Sequence, residues 1–242
     1  MPDTYRFVQF LWTGLDWIFP PVCGGCDRTG YRWCPDCQRA VKPVPEPICD
    51  ICGLPVRTAG MCSTCLQCRP SYYQLRSWSV FETPIRTAIH KLKYRRNLAL
   101  GDALANQLQD FVKQRCWQVD LVVPVPLGRK RYRERGYNQV SLVARPLASF
   151  CQWRFQPRAL CRARETQSQV GLSASERKAN VADAFLAESK LVAGRAVLIV
   201  DDVATTGSTL NACAQACLDA GAETVYALTL ARALPHHGLQ YV

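Results

Sequence analysis

Two adjacent carboxylates, Asp201 and Asp202, directly follow an apolar run from Val197 to Val200. Such an unbroken aliphatic run is typical of a strand covered on both faces in a parallel sheet, and it predicts a strand over residues 196–201. The turn that comes next is rich in hydroxyl groups and contains one glycine: Thr205, Thr206, Gly207, Ser208 and Thr209. A helix is predicted from Leu210 to Ala220, and the free N–H groups at a helix N-terminus bind anions. This stretch therefore predicts a phosphate-binding turn beside a carboxylate pair.

The two carboxylates must serve another part of the ligand, because they repel a phosphate. Neighbouring sugar hydroxyls suit them, so a ribose 5-phosphate fits both halves of the stretch. A Walker B strand also ends in aspartate and holds Mg²⁺, but it requires a Walker A loop, and the chain has no Gly-Lys pair. An ordinary strand, turn and helix with a polar turn is the remaining alternative.

Eight cysteines near the N-terminus occur as four Cys-x-x-Cys knuckles: Cys23, Cys26, Cys34, Cys37, Cys49, Cys52, Cys62 and Cys65. Structural zinc is held by four ligands in a tetrahedron, and each knuckle presents two thiolates. Disulfide frameworks are typical of secreted chains, and no signal-peptide cleavage site follows the apolar N-terminal stretch. We therefore predict two structural zinc ions. Sequential pairing of the knuckles is the preferred arrangement, and an interleaved pairing stays open.

A second chemical segment runs from Val122 to Gln139 and joins an apolar strand to a basic loop. Arginine side chains form paired hydrogen bonds with phosphate oxygens, so this loop is predicted to bind a pyrophosphate beside the ribose site. The residues expected to contribute are Val125, Pro126, Leu127, Arg129 and Arg133. The alternative interpretation is a solvated basic loop.

A third segment, from Cys161 to Phe185, is rich in Ser, Gln and Arg and has few large apolar residues. Mobile loops of this kind exclude water from active sites, so we interpret the segment as a lid over the bound pyrophosphate. Its candidate contacts are Arg162, Arg164, Thr166 and Gln167. A plain surface excursion is the alternative.

The composition sets the wider frame. The chain has 242 residues, 48% of them apolar, and a formal net charge of +11. Two zinc–thiolate sites of about −2 each would leave roughly +7, so a polyanionic partner is still expected. An amphipathic helix is predicted over residues 1–20, too short and too interrupted to span a bilayer. A zinc-ribbon domain is predicted over 21–70, and alternating strands and helices predict an α/β domain over 71–242.

The stretch from Val197 to Thr209 resembles the phosphoribosyl pyrophosphate (PRPP) binding motif of type I phosphoribosyltransferases. Other motifs occur in the same order as in the ComF family: the four knuckles, Ile89 to Tyr94, Val-Pro-Val-Pro-Leu, Arg133 to Gln139, and Arg-x-Arg-x-Thr-x-x-Gln. ComF proteins are associated with natural competence and the use of incoming DNA. The resemblance implies a type I phosphoribosyltransferase-like parallel sheet with flanking helices, preceded by a double zinc ribbon, in a cytoplasmic protein.

The resemblance also implies roles for individual residues. Asp201 and Asp202 would contact the ribose hydroxyls of PRPP, which binds with Mg²⁺, and the turn from Thr205 to Thr209 would wrap its 5′-phosphate. Purine-salvage enzymes of the wider superfamily place a base-activating aspartate where Thr205 stands. Purine salvage is therefore not expected.

Two functions are consistent with these features. The first is a phosphoribosyltransferase with an unidentified acceptor, in which Asp201, Asp202, Arg129 and Arg133 act in catalysis. The second is a non-catalytic nucleic-acid-binding module that uses PRPP only as a ligand or signal. Basic and aromatic side chains would then bind single-stranded DNA. We favour a combination, with PRPP and single-stranded DNA as ligands, competence-related proteins as possible partners, and turnover left open.

Overall fold

The computed structural model describes residues 20–95, 97, 99–163 and 184–234. The predicted N-terminal helix and the lid residues Arg164, Thr166 and Gln167 lie outside this part of the chain. The described strands are β1 (Gln74–Val80), β2 (Leu121–Pro124), β3 (Arg154–Phe155), β4 (Leu160–Arg162), β5 (Phe185–Ala187), β6 (Ala196–Ala204) and β7 (Thr224–Arg232). The described helices are α1 (Pro35–Arg39), α2 (Ser63–Gln67), α3 (Ile85–Tyr94), α4 (Ala99–Lys113), α5 (Arg129–Arg135), α6 (Gln139–Phe150), α7 (Ser189–Val192) and α8 (Ser208–Asp219). None of these helices has the length and apolar character needed to cross a membrane.

Five strands form one parallel sheet in the order β1-β7-β6-β2-β3, which confirms the predicted architecture. Strands β4 and β5 form a separate antiparallel pair. In the centre of the sheet, β2 pairs with β6 from Leu121 opposite Val197 to Pro124 opposite Val200. The two chemical segments of the sequence therefore lie side by side at the carboxyl edge of the sheet.

Strand β6 is longer than its apolar run predicts. It continues through both aspartates to Ala204, because β7 is equally long and keeps pairing with it, from Asp201 opposite Thr229 to Ala204 opposite Arg232. The aspartates are thus held inside a strand, and the expected boundary at residue 201 is wrong. Helix α8 correspondingly begins at Ser208, two residues before the predicted start.

The basic segment is a helix, α5, where the sequence analysis expected a loop. Its arginines and lysine are good helix formers, and no residue of the helix is buried. Gly136 ends it in the left-handed conformation, with φ of 79°. A short, exposed, basic helix therefore follows the β2 strand.

Apolar side chains cover both faces of the sheet, and the cysteine-rich segment contributes to each. On one face, α3, α4 and α6 pack together with the first half of this segment: Cys23, Trp33, Cys34 and Cys37. On the other face, α8 packs together with the second half: Cys49, Ile51, Cys52 and Cys65. The two halves therefore belong to two different cores.

Candidate functional site

A depression at the carboxyl edge of the sheet brings Asp201 together with the turn that follows β6. Its lining consists of Asp201, Val203, Ala204, Thr205, Gly207, Ser208, Thr209 and Leu210. The hydroxyl-bearing residues of the turn are half-buried, and the twelve-residue helix α8 starts within the lining. One carboxylate and the positive end of a helix dipole therefore share the same small space.

Gly207 gives this turn its shape. Its φ of 80° is in the left-handed region, which favours glycine, and a Cβ atom would lie 3.1 Å from the Tyr72 hydroxyl. Thr206 does not line the depression but braces the turn from within. Its Oγ1 accepts a hydrogen bond from the Ser208 N–H at 3.3 Å and lies 2.7 Å from Ser208 Oγ.

Asp202 lies on the opposite face of β6 from Asp201, because successive side chains of a strand alternate. Its carboxylate accepts a hydrogen bond from Gln139 Nε2 at 2.7 Å and pairs with Lys93 Nζ at 3.0 Å. Only 7% of Asp202 is exposed, and it does not line the depression. The structure thus separates the two aspartates that the sequence analysis assigned to one sugar.

The partners of Asp202 are themselves held in place. Arg135 donates a hydrogen bond to Gln139 Oε1 at 2.6 Å, which leaves the amide nitrogen of Gln139 directed at Asp202. The guanidinium of Arg135 lies 5.1 Å from the centroid of the Tyr94 ring, within the range of a cation–π contact. A chain of contacts therefore runs from an exposed tyrosine to a buried carboxylate.

The neighbouring residues of the same motif fasten the backbone around it. Asn138 accepts a hydrogen bond from the Val140 N–H at 3.0 Å as the N-cap of α6, and its Nδ2 donates to the Val125 carbonyl at 2.9 Å. The Tyr137 hydroxyl donates to the Leu92 carbonyl at 2.6 Å. These contacts tie α6 to the segment after β2 and to α3.

Asp201 has an unusual protonation equilibrium. Burial raises its pKa to about 7, and the negative charge of Asp202 adds to this rise. The Asp202 N–H donates to Asp201 Oδ1 at 2.8 Å, and the charges of Lys93 and Arg162 act in the opposite direction. A cation or a hydroxyl donor at this carboxylate would favour its ionised form.

The eight knuckle cysteines form two clusters, in each of which the sulfur atoms lie within 4.8 Å of one another: Cys23, Cys26, Cys34 and Cys37; and Cys49, Cys52, Cys62 and Cys65. The knuckles are thus paired sequentially. Individual Sγ–Sγ distances are 3.7 Å from Cys23 to Cys37 and 3.7 Å from Cys52 to Cys62. A tetrahedron with the usual zinc–sulfur bond requires a separation of about 3.8 Å. Both clusters therefore fit a zinc ion.

Backbone amides favour the thiolate form of one cysteine in each cluster. Burial opposes ionisation of Cys23, but N–H groups including that of Cys34, at 3.3 Å, outweigh it and lower the pKa to about 6. Cys49 is in the same situation, with the Cys62 N–H at 3.3 Å and a pKa of about 6. Since the thiolate is the form that binds zinc, these amides support the metal centres.

Known proteins match both parts of the chain. The family model of the double zinc ribbon domain matches residues 14–66, and that of the phosphoribosyl transferase domain matches residues 129–237. The DNA utilization protein YhgH of Salmonella typhimurium is 39% identical over 209 residues, covering 83% of this chain and 90% of that protein. Competence protein F of Haemophilus influenzae is 34% identical over 208 residues with the same coverage. The chain belongs to the ComF family.

A solved structure similar to this ComF chain is the glutamine PRPP amidotransferase of B. subtilis. It is 21% identical with a TM-score of 0.37, covering 70% of this chain and 31% of that one. So low a score adds nothing to the family assignment, which depends on the sequence matches. The sheet, the two cysteine clusters and the two family models together confirm the predicted fold class.

The basic helix of this ComF chain lies apart from the depression. Arg129 and Arg133, predicted to act in catalysis, are exposed on α5 and do not line it. Tyr132 of the same helix is 53% exposed and Tyr94 is 63% exposed. We call α5 together with Tyr94 the basic surface.

Two other predicted contacts lie closer to Asp201. The Val125 N–H donates to the Val200 carbonyl at 2.9 Å, so the segment of Val125, Pro126 and Leu127 starts immediately beside the aspartate. Arg162 belongs to β4, and its positive charge lowers the pKa of Asp201. Arg162 is thus the one predicted lid residue in the described part of the chain, and it acts electrostatically on the depression.

Sequence reasoning missed three residues of this site, namely Lys93, Gln139 and Asn138. Each lies within a motif quoted above, Ile89 to Tyr94 or Arg133 to Gln139, but there the motifs only served to support the resemblance. A lysine one position before the end of a helix gives no hint that it pairs with a distant carboxylate. Their roles depend on the sheet bringing α3 and α6 to the same strand.

Proposed function

We propose that this ComF-family chain binds PRPP with Mg²⁺ in the Asp201 depression and has a role in DNA utilisation or natural competence. The observation that carries the proposal is the shared lining of one carboxylate and a hydroxyl-rich turn at a helix N-terminus. The turn suits a terminal phosphate, and a carboxylate beside it suits a sugar hydroxyl or a hydrated Mg²⁺ ion. PRPP offers a phosphate, hydroxyls and a metal-binding pyrophosphate in that order.

Each part of the ligand has a proposed partner. The 5′-phosphate is assigned to the N–H and hydroxyl groups of Thr205 to Thr209, and the ribose hydroxyls to Asp201. The pyrophosphate is assigned to the segment from Val125 to Leu127, which adjoins Asp201 through β6. Mg²⁺ would neutralise charge on the pyrophosphate when it is bound. Asp202 keeps Lys93 beside the site, where the lysine lowers the pKa of Asp201.

The proposed reaction is transfer of the phosphoribosyl group. An acceptor nucleophile forms a bond to C1 of the ribose while the bond from C1 to the pyrophosphate oxygen breaks, and pyrophosphate leaves with the electron pair. Positive groups near the leaving oxygen stabilise this transition state. Lys93 and Arg162 are the described cations whose charge acts on Asp201, and we assign this role to them ahead of Arg129 and Arg133.

A non-catalytic function is the second candidate, and one observation favours it. Among the described residues that line the depression, Asp201 is the only one whose side chain titrates near neutral pH, so this part of the lining provides no separate base for the acceptor. In this alternative PRPP is a ligand or signal. The two candidates differ in whether pyrophosphate is released when an acceptor is present.

Single-stranded DNA is proposed to bind on the basic surface. Five of the seven residues of α5 are Arg or Lys, and phosphate neutralisation by such residues gives salt-dependent affinity. The exposed Tyr132 and Tyr94 rings can stack on bases. Deoxyribose has no 2′-hydroxyl, so DNA is assigned to this surface and not to the Asp201 depression. The names of the relatives, DNA utilization protein and Competence protein F, agree with such a ligand. Competence-related proteins are proposed as further partners.

We also propose the domain division of residues 1–20, 21–70 and 71–242, and a cytoplasmic location. All fourteen cysteines lack a disulfide partner, as expected for a chain in a reducing compartment.

Calorimetry of the zinc-loaded chain with PRPP and Mg²⁺ tests the ligand. Asp201→Asn is expected to weaken binding by about tenfold or more, since it removes a charge-assisted hydrogen-bond acceptor. Asp219→Asn is the matched control, because Asp219 lies at the end of α8 that is far from the depression, where it accepts a hydrogen bond from Gln215 at 2.7 Å. Absence of binding heat in the wild-type protein would refute the proposal.

Pyrophosphate release then separates the two candidate functions. The zinc-loaded chain is incubated with labelled PRPP and Mg²⁺, with and without a single-stranded oligonucleotide. Release that requires an acceptor and is lost in Asp201→Asn supports transfer. Binding of PRPP without release supports the ligand function. An oligonucleotide affinity that does not fall with rising salt contradicts the basic surface as the DNA site.

A further inference from the structure

Among the described residues, none forms a hydrogen bond with the guanidinium group of Arg232, the last residue of β7. Its side chain is 0% exposed, and none of its Nε, Nη1 and Nη2 atoms is bonded within the described part of the protein. Taking a guanidinium out of water is very costly unless opposite charge is near. The structure must therefore supply negative charge close to this residue.

The second cysteine cluster lies on the same side of the sheet as the Arg232 side chain. Arg232 interacts electrostatically with Cys52 and with the buried Tyr72, and both of these residues belong to the core that contains this cluster. Arg232 pairs in the sheet with Ala204, which also belongs to that core.

A second arginine reaches the cluster from the neighbouring strand. Arg76 of β1 is 8% exposed. Its Nη2 donates to the Asp50 carbonyl at 3.0 Å and its Nη1 to the Cys49 carbonyl at 3.4 Å. These carbonyls belong to the third knuckle, so Arg76 binds the loop that carries Cys49 and Cys52.

The charge of the zinc centre matches that of the two arginines. Four thiolates around one Zn²⁺ carry a net charge of about −2, and two guanidinium groups supply the opposite charge. We propose that Arg232 and Arg76 are the counter-charges of the zinc centre formed by Cys49, Cys52, Cys62 and Cys65. This centre is then an ionic part of the phosphoribosyltransferase-type sheet, and the sheet determines how firmly it holds its metal.

The first cluster has a different arrangement and serves as an internal comparison. The lysine beside it, Lys91, donates to the Cys23 carbonyl at 3.1 Å and also pairs with the Asp27 carboxylate at 2.7 Å. Its charge is thus already matched by a carboxylate. Removing Lys91 should leave the second centre unaffected.

Zinc release provides the test. The full zinc-loaded chain is exposed to excess chelator, release is followed with a colorimetric indicator, and native mass spectrometry gives the zinc stoichiometry. In Arg232→Met, one of the two zinc ions should leave faster by on the order of tenfold or more, because a close charge pair is lost. Arg232→Lys, which keeps the charge, should restore most of the retention. A Cys65→Ser variant identifies the release phase that belongs to the second centre, and Lys91→Met should not alter that phase.

Two results would overturn the proposal. One is release of both zinc ions from Arg232→Met at the wild-type rate. The other is unchanged zinc release together with lost PRPP binding, which would assign Arg232 to the phosphoribosyl ligand. If Arg232→Met does not fold, Arg232→Lys and Arg76→Met carry the test: wild-type release of the second zinc from Arg76→Met would contradict the shared role of the two arginines.

Discussion

Replacement of Lys93 by methionine tests how much the ion pair between Lys93 and Asp202 contributes to the stability of the protein. The Nζ–carboxylate distance is 3.0 Å, and the two side chains are 23% and 10% exposed. Removing one member of a buried pair leaves an uncompensated charge, at a cost of about 3–5 kcal/mol. Because Gln139 still donates to Oδ2 of the carboxylate and water can reach the Lys93 position, we expect a cost at the lower end of this range, about 3 kcal/mol.

The measurement is urea unfolding of the zinc-loaded chain, with the free energy of unfolding obtained by linear extrapolation. The double variant Lys93→Met/Asp202→Asn completes a double-mutant cycle. Since the double variant contains no unpaired charge, it should recover about 2 kcal/mol of the single-variant loss. Lys42→Met is the matched control: Lys42 pairs with Glu82 at 2.6 Å, but the side chains are 68% and 34% exposed, so its loss should cost less than about 1 kcal/mol.

The reasoning fails if Lys93→Met costs no more than Lys42→Met, or if Asp202→Asn gives no recovery in the Lys93→Met background. Either result would mean that solvent, and not Lys93, compensates the buried carboxylate. Asp202 would then be available to a ligand, and both aspartates could serve one sugar as the sequence analysis expected.

Three further predictions concern the depression and its support. Affinity for PRPP with Mg²⁺ should fall as the pH drops below 7, because the ligand requires ionised Asp201 and the pKa of Asp201 is raised to about 7, so that protonation competes with binding. Calorimetry at pH 6 to 8 should show that Asp201→Asn removes this part of the pH dependence. The same pH profile in the wild type and in Asp201→Asn would contradict the assignment to Asp201. Gly207→Ala should destabilise the protein by about 1–2 kcal/mol in thermal unfolding, since φ is 80° and the new Cβ would meet Tyr72; a variant as stable as the wild type would show that the turn adapts. Gly101→Ala should cost about 1–3 kcal/mol, because its Cβ would lie 2.5 Å from the Leu142 carbonyl oxygen and push α4 away from α6; wild-type urea stability would disprove this close packing.

The elements predicted well from sequence are those fixed by local pattern. The apolar run before Asp201 predicts a buried parallel strand, and the Cys-x-x-Cys spacing predicts metal clusters, because both depend on residues close together in the chain. The predicted end of β6 is wrong for the opposite reason. Two aspartates interrupt the aliphatic run, and the strand continues past them to Ala204 because β7 pairs alongside it. This long-range pairing is not contained in the local sequence pattern.

The candidate site shows the same limit. Adjacent carboxylates in a sequence suggest one shared ligand, yet alternation along a strand sends Asp201 and Asp202 to opposite faces. Placing them inside β6 therefore changes the chemistry: Asp201 lines the depression, while Asp202 becomes the partner of Lys93 and Gln139. The likeness of these motifs to the ComF family gave candidate residues without giving their contacts.

Each zinc ribbon contacts a helix that carries or supports residues of the candidate site. Helix α3 carries Lys91, which binds the first ribbon at the Cys23 carbonyl, and two residues later Lys93, which holds Asp202. Ser71, in the segment leading out of the second ribbon, donates through its N–H to Asn211 Oδ1 at 2.6 Å. Asn211 lies in the first turn of α8, the helix that follows the hydroxyl-rich turn. Within the described residues, neither ribbon has a helix longer than five residues, so we expect metal to supply much of the folding free energy of each ribbon. Loss of zinc from the first centre should therefore increase the mobility of α3 beside Asp202. Loss of zinc from the second centre should increase the mobility of α8.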